Sequence, residues 1–193
     1  RNEINRKMTE TFGKNLFLAD INLSFWKSVG AERPLPETDG FTVTITNSLP
    51  YEPEVVRIAG NFIYSRFFND TRLGEKRFDI YRSWVTNAFD QPDRYYVLAR
   101  AQERVLGFIL FSFNADQSVT IELLAVDEAY RGKHVGTVLM QHLERFLHTR
   151  RVEKYYVGTQ VSNIAAINFY FHNGFQIYRV NSIYPVSYTH LTL

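Results

Sequence analysis

Residues 118–150 read SVTIELLAVDEAYRGKHVGTVLMQHLERFLHTR, and the change of period inside this stretch decides the fold. Val119, Ile121, Leu123 and Ala125 alternate with Thr120, Glu122, Leu124 and Val126, the two-residue period of a strand at least partly covered on both faces. From Val135 the period becomes helical. Val135, Val138, Leu139, Leu143, Phe146 and Leu147 fall on one stripe, with Lys133, Thr137, Gln141, Glu144, Arg145 and His148 on the other side. Between strand and helix lies Arg131-Gly132-Lys133-His134-Val135-Gly136, a basic, glycine-bearing turn.

The first amides of a helix have no intrahelical partner and carry the positive end of the macrodipole, which makes a helix start a seat for phosphate. Gly132 and Gly136 let a ligand approach the backbone, and Arg131 and Lys133 add positive charge. The same residues also fit an ordinary solvated strand-to-helix turn, because a short glycine pattern is a weak signal. There is no Gly-x-x-x-x-Gly-Lys-Ser/Thr and no spaced Gly-x-Gly-x-x-Gly, so nucleoside triphosphates and dinucleotides lose ground.

Working outward, the 193 residues suffice for one ordinary domain plus a remnant. A hydrophobic fraction of 45% with 16% aromatics supports a well-buried core. The formal net charge of +2 is carried by scattered basic residues, which argues against nucleic acid as a partner. With no cysteine, disulfides, zinc-thiolate clusters and a thiol nucleophile are excluded, in keeping with the cytoplasm. The longest apolar run, 106–113, is strand-sized, so no membrane span is expected.

Residues 1–30 read as the middle of something, with a weak helix at 3–14 and an apolar strand at 16–26 that has too little around it to fold alone. Residues 31–40 (AERPLPETDG) are a linker by composition. The domain proper spans 41–184. It opens with a strand at 41–46 and a helix from Pro53 to about 64, marked by Val55, Ile58, Ala59 and Phe62. A loop at 65–74 precedes a helix at 75–89 that buries Phe78, Tyr81, Trp84, Val85 and Ala88. Strands at 95–101, 105–113 and 119–126, joined by short polar turns, predict an antiparallel meander. After the helix from 135 comes a strand at 154–159, parallel to the strand before the helix. A helix at 163–173, capped by Ser162 and stopped by Gly174, leads to a last strand at 175–184. The tail 185–193 (PVSYTHLTL) has no period, resembles adaptor read-through, and is set aside.

The stretch IELLAVDEAYRGKHVGTVLM resembles the coenzyme A signature of the GNAT acetyltransferase superfamily, Gln/Arg-x-x-Gly-x-Gly/Ala after its strand. One departure is that His134 stands where the first of the paired glycines is usual. A second stretch, VSNIAAINFYFHNGF at 161–175, resembles the family's Asn-x-x-Ala-x-x-Phe-Tyr-x-x-x-Gly-Phe helix through Asn163, Ala166, Phe169, Tyr170, Gly174 and Phe175. The resemblance implies an α/β (α+β) GNAT fold, a mixed sheet of about six strands flanked by four helices behind a truncated N-terminal subdomain. It implies acetyl-CoA as cofactor, held by Leu124, Ala125 and Val126 on the strand and by Arg131, Gly132, Lys133, His134, Val135, Gly136 and Thr137 at the turn. Asn163 and Ala166 flank the pantetheine arm. Tyr170 shares a helix face with both, and is the candidate general acid for the departing thiolate. An aromatic stripe packed into the core is the other reading of this helix, and is the expected fate of Phe169 and Phe175.

Glu122 is the carboxylate of the signature strand, placed two residues before Leu124 on the same face. Acceptor base or ligand and paired structural carboxylate are both open for it. His142, His148 and His172 are read as surface or structural, and no metal spacing is present. Ser65-Arg66-Phe67-Phe68 with Phe78, Tyr81, Trp84 and Asn87-Ala88 resembles the dTDP-fucosamine (dTDP-4-amino-4,6-dideoxygalactose) N-acetyltransferases. That implies a small-molecule amine acceptor, a nucleotide-sugar with Arg66 near its anionic part, and a homodimer. A peptide N-acetyltransferase and a non-catalytic acyl-CoA-binding module are the other classes.

Overall fold

The computed structural model describes residues 20–38, 40–61, 79–89 and 91–183. In chain order they form β1 (Asp20–Ser28), β2 (Thr42–Thr46), α1 (Pro53–Ala59), α2 (Ile80–Ala88), β3 (Arg94–Ala101), β4 (Arg104–Phe113), β5 (Val119–Val126), a 3-10 turn (Glu128–Tyr130), α3 (Val135–Thr149), β6 (Lys154–Gln160), α4 (Ile164–His172) and β7 (Gln176–Ile183). The expected helix at 3–14, the loop at 65–74 with Arg66, the start of the helix at 75 with Phe78, and the tail lie outside the described residues.

All seven strands join one sheet in the order β2-β3-β4-β5-β6-β1-β7. The meander β3-β4-β5 is antiparallel, and β5 meets β6 in parallel. Segment 20–28, expected as the close of a preceding subdomain, is a strand of this same sheet. It lies between β6 and β7 and runs antiparallel to both, which takes the strand count from about six to seven. β3 and β4 are near-continuous apolar runs because both their faces are covered. On one face α3 and α4 close over Val97, Ile109, Phe111, Val119 and Ile121, with Leu139, Leu143 and Tyr155 at the centre. On the other, α1 and α2 close over Leu98, Phe108, Leu110, Leu123 and Ala125.

Three local expectations are corrected. Helix α1 stops at Ala59, where the Gly60 amide bonds back to the Val56 carbonyl at 3.0 Å, rather than running to 64. Trp84 is not core: it is 40% exposed and stacks on Tyr81, with ring centres 6.0 Å apart at 7°. Asn163, not Ser162, caps α4, since its Oδ1 is the oxygen that reaches the Ala166 amide, at 3.2 Å. The α4 stop is at Gly174 as read. With φ +81, it lets the Gly174 amide reach the Phe171 carbonyl (2.9 Å) and the Phe175 amide reach Tyr170 (3.0 Å), closing the helix end and fixing Tyr170 in place.

The register of β4 on β5 slips at Glu122: Leu110 faces Leu123 while Phe111 faces Ile121, so Glu122 is an extra residue. This bulge turns the strand over. Ile121 belongs to the α3 face, but beyond the bulge Leu123 and Ala125 belong to the α1–α2 face and Leu124 and Val126 pack toward α3. Glu122 and Leu124 therefore do not share a face, contrary to the spacing argument. Pairing of β5 with β6 ends at Ile121–Val157, so the last five residues of β5 part from β6.

The parted end of β5 is backed by Gly107. A Cβ there would lie 2.8 Å from the Ala125 carbonyl oxygen and 3.2 Å from Val126 Cα, so the neighbouring backbone would have to move. Gly107→Ala is expected to cost about 1–3 kcal/mol by overpacking, lowering Tm by roughly 2–4 °C per kcal/mol in thermal denaturation.

Candidate active site

The parting of β5 and β6 opens a cleft of about 810 Å³ that runs from the start of α3 to the sheet face below α2. One wall is strand backbone. The Asp127 amide bonds to the Leu106 carbonyl of β4 at 2.8 Å, so by the two-residue alternation Ala125 also turns its amide and carbonyl to β4. Leu124 and Val126 turn theirs the other way, into the opening where β6 has left. Of the three strand residues expected to bind a carrier, two thus present backbone donors, and Ala125 contributes only its small side chain.

The second wall is the turn and the first turn of α3. Arg131, Gly132, His134, Val135, Gly136 and Thr137 all line the cleft. Lys133 does not: its ammonium lies over the Tyr130 ring, 5.0 Å from the centre, and the Arg104 guanidinium lies 5.3 Å from that centre. His134 is the N-cap of α3 and adopts φ +59, ψ +4, the left-handed region that glycine favours. A histidine here thus occupies a backbone conformation that glycine adopts at no steric cost. Gly136 has a packing reason as well: a Cβ there would come 3.2 Å from the Phe169 ring and 3.6 Å from a Val126 methyl, so α3 and α4 approach closely only through it.

The third wall is α4. Asn163, Ala166, Phe169 and Tyr170 line the cleft on one helix face. Asn163 is occupied locally: besides capping α4, its Nδ2 donates to Thr159 Oγ1 at 3.2 Å. Phe169, expected in the core, is a half-buried cleft wall, while Phe175 is core at 2% exposure. Tyr170 packs its ring against Phe25, Phe169 and Phe175, with centres 5.4–5.7 Å apart. Burial pushes its phenol well above the ordinary value, so it stays protonated throughout the physiological range.

Glu122 sits on the opposite sheet face, at the cleft floor. Its carboxylate accepts from Ser112 Oγ (2.6 Å) and Trp84 Nε1 (3.2 Å) and pairs with Arg94 Nε (3.1 Å). Trp84 and Tyr81 line the cleft beside it. Their aromatic character reads as core in the sequence, and only the placement of α2 over the bulge turns Trp84 toward the opening. Arg66 lies outside the described residues. His148 Nδ1 makes a long-range contact with the Gly30 carbonyl at 3.2 Å and His172 Nδ1 a local one with the Asn168 carbonyl at 2.7 Å, both structural roles outside the cleft.

The turn between β5 and α3 is anchored by Asp127, 3% exposed. It accepts from Arg57 of α1 at 2.5 Å and from the Ala129 amide at 2.9 Å. Burial alone would raise this carboxyl, but the hydrogen bonds from Arg57 and Ala129 and the charges of Arg57 and Arg104 outweigh it and hold it below the usual range.

Strand amides with no strand partner among the described residues, a helix start beside an arginine, and a phenol reached from the same cleft suit a phosphate-bearing acyl carrier. The profile of the acetyltransferase (GNAT) family matches residues 61–175, more than half of the chain, and the chain belongs to that family. The family draws its acyl group from acetyl-CoA. The spore coat polysaccharide biosynthesis protein SpsD of Bacillus subtilis (strain 168) is 27% identical over 129 residues, covering 65% of this chain and 44% of that protein. The streptothricin acetyltransferase of Streptomyces lavendulae is 33% identical over 87 residues, covering 45% of this chain and 46% of that one. A GCN5-related N-acetyltransferase from Sphaerobacter thermophilus has the same fold, with a TM-score of 0.61 at 15% identity over 95% of this chain and 56% of that one. The matched region thus spans about half the length of these relatives.

His134→Gly removes the left-handed strain and is expected to raise stability by about 1 kcal/mol, read as a higher Tm. Because the Asp127 carboxyl is lowered in the folded state, its stabilisation is full above the usual carboxylate value and is lost as pH falls through the folded one. Tm should therefore drop below about pH 4, and Asp127→Asn should flatten that drop.

Proposed function

We propose that the protein transfers the acetyl group of acetyl-CoA to the primary amine of a small molecule, and that this amine belongs to a nucleotide-linked amino-deoxysugar used in surface polysaccharide synthesis. The single observation that carries the reaction is the parting of β5 from β6. It gives a passage through the sheet, with the α3 start and Tyr170 on one side and Glu122 with Trp84 on the other. The likeness to SpsD supports the polysaccharide context, and that to the streptothricin acetyltransferase supports a small-molecule acceptor over a peptide. The reading places the protein in the cytoplasm. Among the described residues no helix is long and apolar enough to cross a membrane.

Bound acetyl-CoA supplies the acyl group and a thiolate leaving group. The amides at the start of α3, with Arg131, would hold its pyrophosphate. Leu124 and Val126 would hold the arm in line and donate toward the carbonyl oxygen as charge develops there. Fixing both partners converts an encounter into a unimolecular step, worth up to roughly 7–11 kcal/mol at near-attack geometry. Tyr170, protonated and at the cleft wall, donates the proton that the leaving sulfur needs. Glu122 is held by three donors, which keeps its charge in one place. That suits it to accept a hydrogen bond from the neutral amine arriving past Trp84 rather than to swing as a mobile base.

Thioester consumption with a panel of amines tests the reading: a nucleotide-linked amino sugar should be acetylated, whereas a peptide amine preferred over it, or no acceptor consumed, overturns it. Tyr170→Phe is expected to lower kcat by about 10²-fold or more while coenzyme A binding is unchanged. Since the phenol lies above its ordinary value of about 10, kcat should show no alkaline decline before that pH, and kcat/KM should rise only with neutralisation of the acceptor amine.

A further inference from the structure

A second depression of about 610 Å³ lies on the sheet face that carries Glu122. It shares Thr120, Val157 and Gly158 with the cleft, the residues at which β5 and β6 separate. The two are therefore continuous through the opening. Small residues floor it: Ser24, Ser118, Thr120 and Gly158. Along β6, Tyr155 and Val157 point into the α3-side core, so Tyr156 and Gly158 point to this face by alternation.

The far wall is aromatic and cationic. Tyr156 and Tyr178 place their ring centres 5.4 Å apart. Arg179 lies 5.6 Å over Tyr178 and has no carboxylate partner among the described residues. The carboxylate of the depression, Asp116, is turned onto the Ser118 hydroxyl and amide, at 2.5 and 3.1 Å. An arginine held on an aromatic ring and left without an acid suits a phosphate oxygen beside a planar base.

Resting on the reaction proposed above, we propose that this groove binds the non-reacting half of the acceptor, a nucleoside diphosphate, with Arg179 on the phosphate and Tyr178 on the base. An amine at Glu122 leaves the rest of its molecule a continuous course, past Thr120 and Gly158 into the groove. Binding this remote half supplies the orientation that an amine alone lacks.

The test is calorimetric titration of thymidine diphosphate into the full chain saturated with coenzyme A, which closes the start of α3 to the probe. Saturable binding is expected. Arg179→Gln and Tyr178→Ala should each weaken it about tenfold, and Arg179→Lys should restore part of it. Both positions are exposed, and an unchanged Tm confirms that the variants fold. In acetyl transfer the same variants should raise KM about tenfold for a nucleotide-linked amino sugar and leave KM for the free amino sugar and for acetyl-CoA unchanged. Absence of saturable binding, equal binding by the variants, or equal KM changes for both acceptors overturns the groove. Nucleotide binding that depends on Arg179 without transfer to any amine overturns the proposed reaction and leaves the groove standing.

Discussion

The extra residue at Glu122 is the constraint on which the rest depends. A regular β5 would keep Glu122, Leu124 and Val126 on one face and continue alongside β6. The bulge reverses the strand after residue 122 and its added twist carries the end of β5 away from its neighbour. Two backbone donors are thereby turned from the ladder toward the cleft, where water or a polar ligand takes the place of a strand partner. Gly107 makes the departure permanent, because the chain behind β5 has no side chain to prop it elsewhere.

Around this opening the two helical layers take different tasks. The α3–α4 layer presents dipole, arginine and phenol; the α1–α2 layer presents an indole and a carboxylate already bound by three donors. Asp127 joins the layers, since the turn before α3 is tied through it to Arg57 on α1. A half-buried network of Lys27, Glu144 and Tyr155 joins β1 and β6 to α3 on the side away from the opening. That leaves the opening as the part of the sheet held by the fewest cross-strand bonds.

The sequence made legible what periodicity and helix ends encode. The meander, the parallel return after α3 and the stop at Gly174 follow from local pattern, and the cleft position of Tyr170 from the family resemblance of its helix. What was not legible depends on long-range register. A bulge looks like any other alternating residue, so the face of Glu122 was misread; an indole in an amphipathic helix reads as core until its neighbours are known, so Trp84 was misassigned. β1 was read as the end of something else because nothing near residues 20–28 shows that their partners lie beyond residue 154. His134 is the reverse case, where the motif's missing glycine was visible and the left-handed backbone beneath it was not.

The burial of Tyr170 carries a consequence for the traffic of hydrogen ions. A phenolate walled by Phe25, Phe169 and Phe175 is too poorly solvated to persist. In the proposed reaction, the charge it acquires by giving up its hydrogen is quenched within the same visit, by the hydrogen that the attacking nitrogen sheds as it becomes an amide. Donor and recipient then form a closed circuit inside the crevice, and a full round of turnover exchanges only one hydrogen ion with bulk solvent: the one the incoming ammonium leaves behind before it enters.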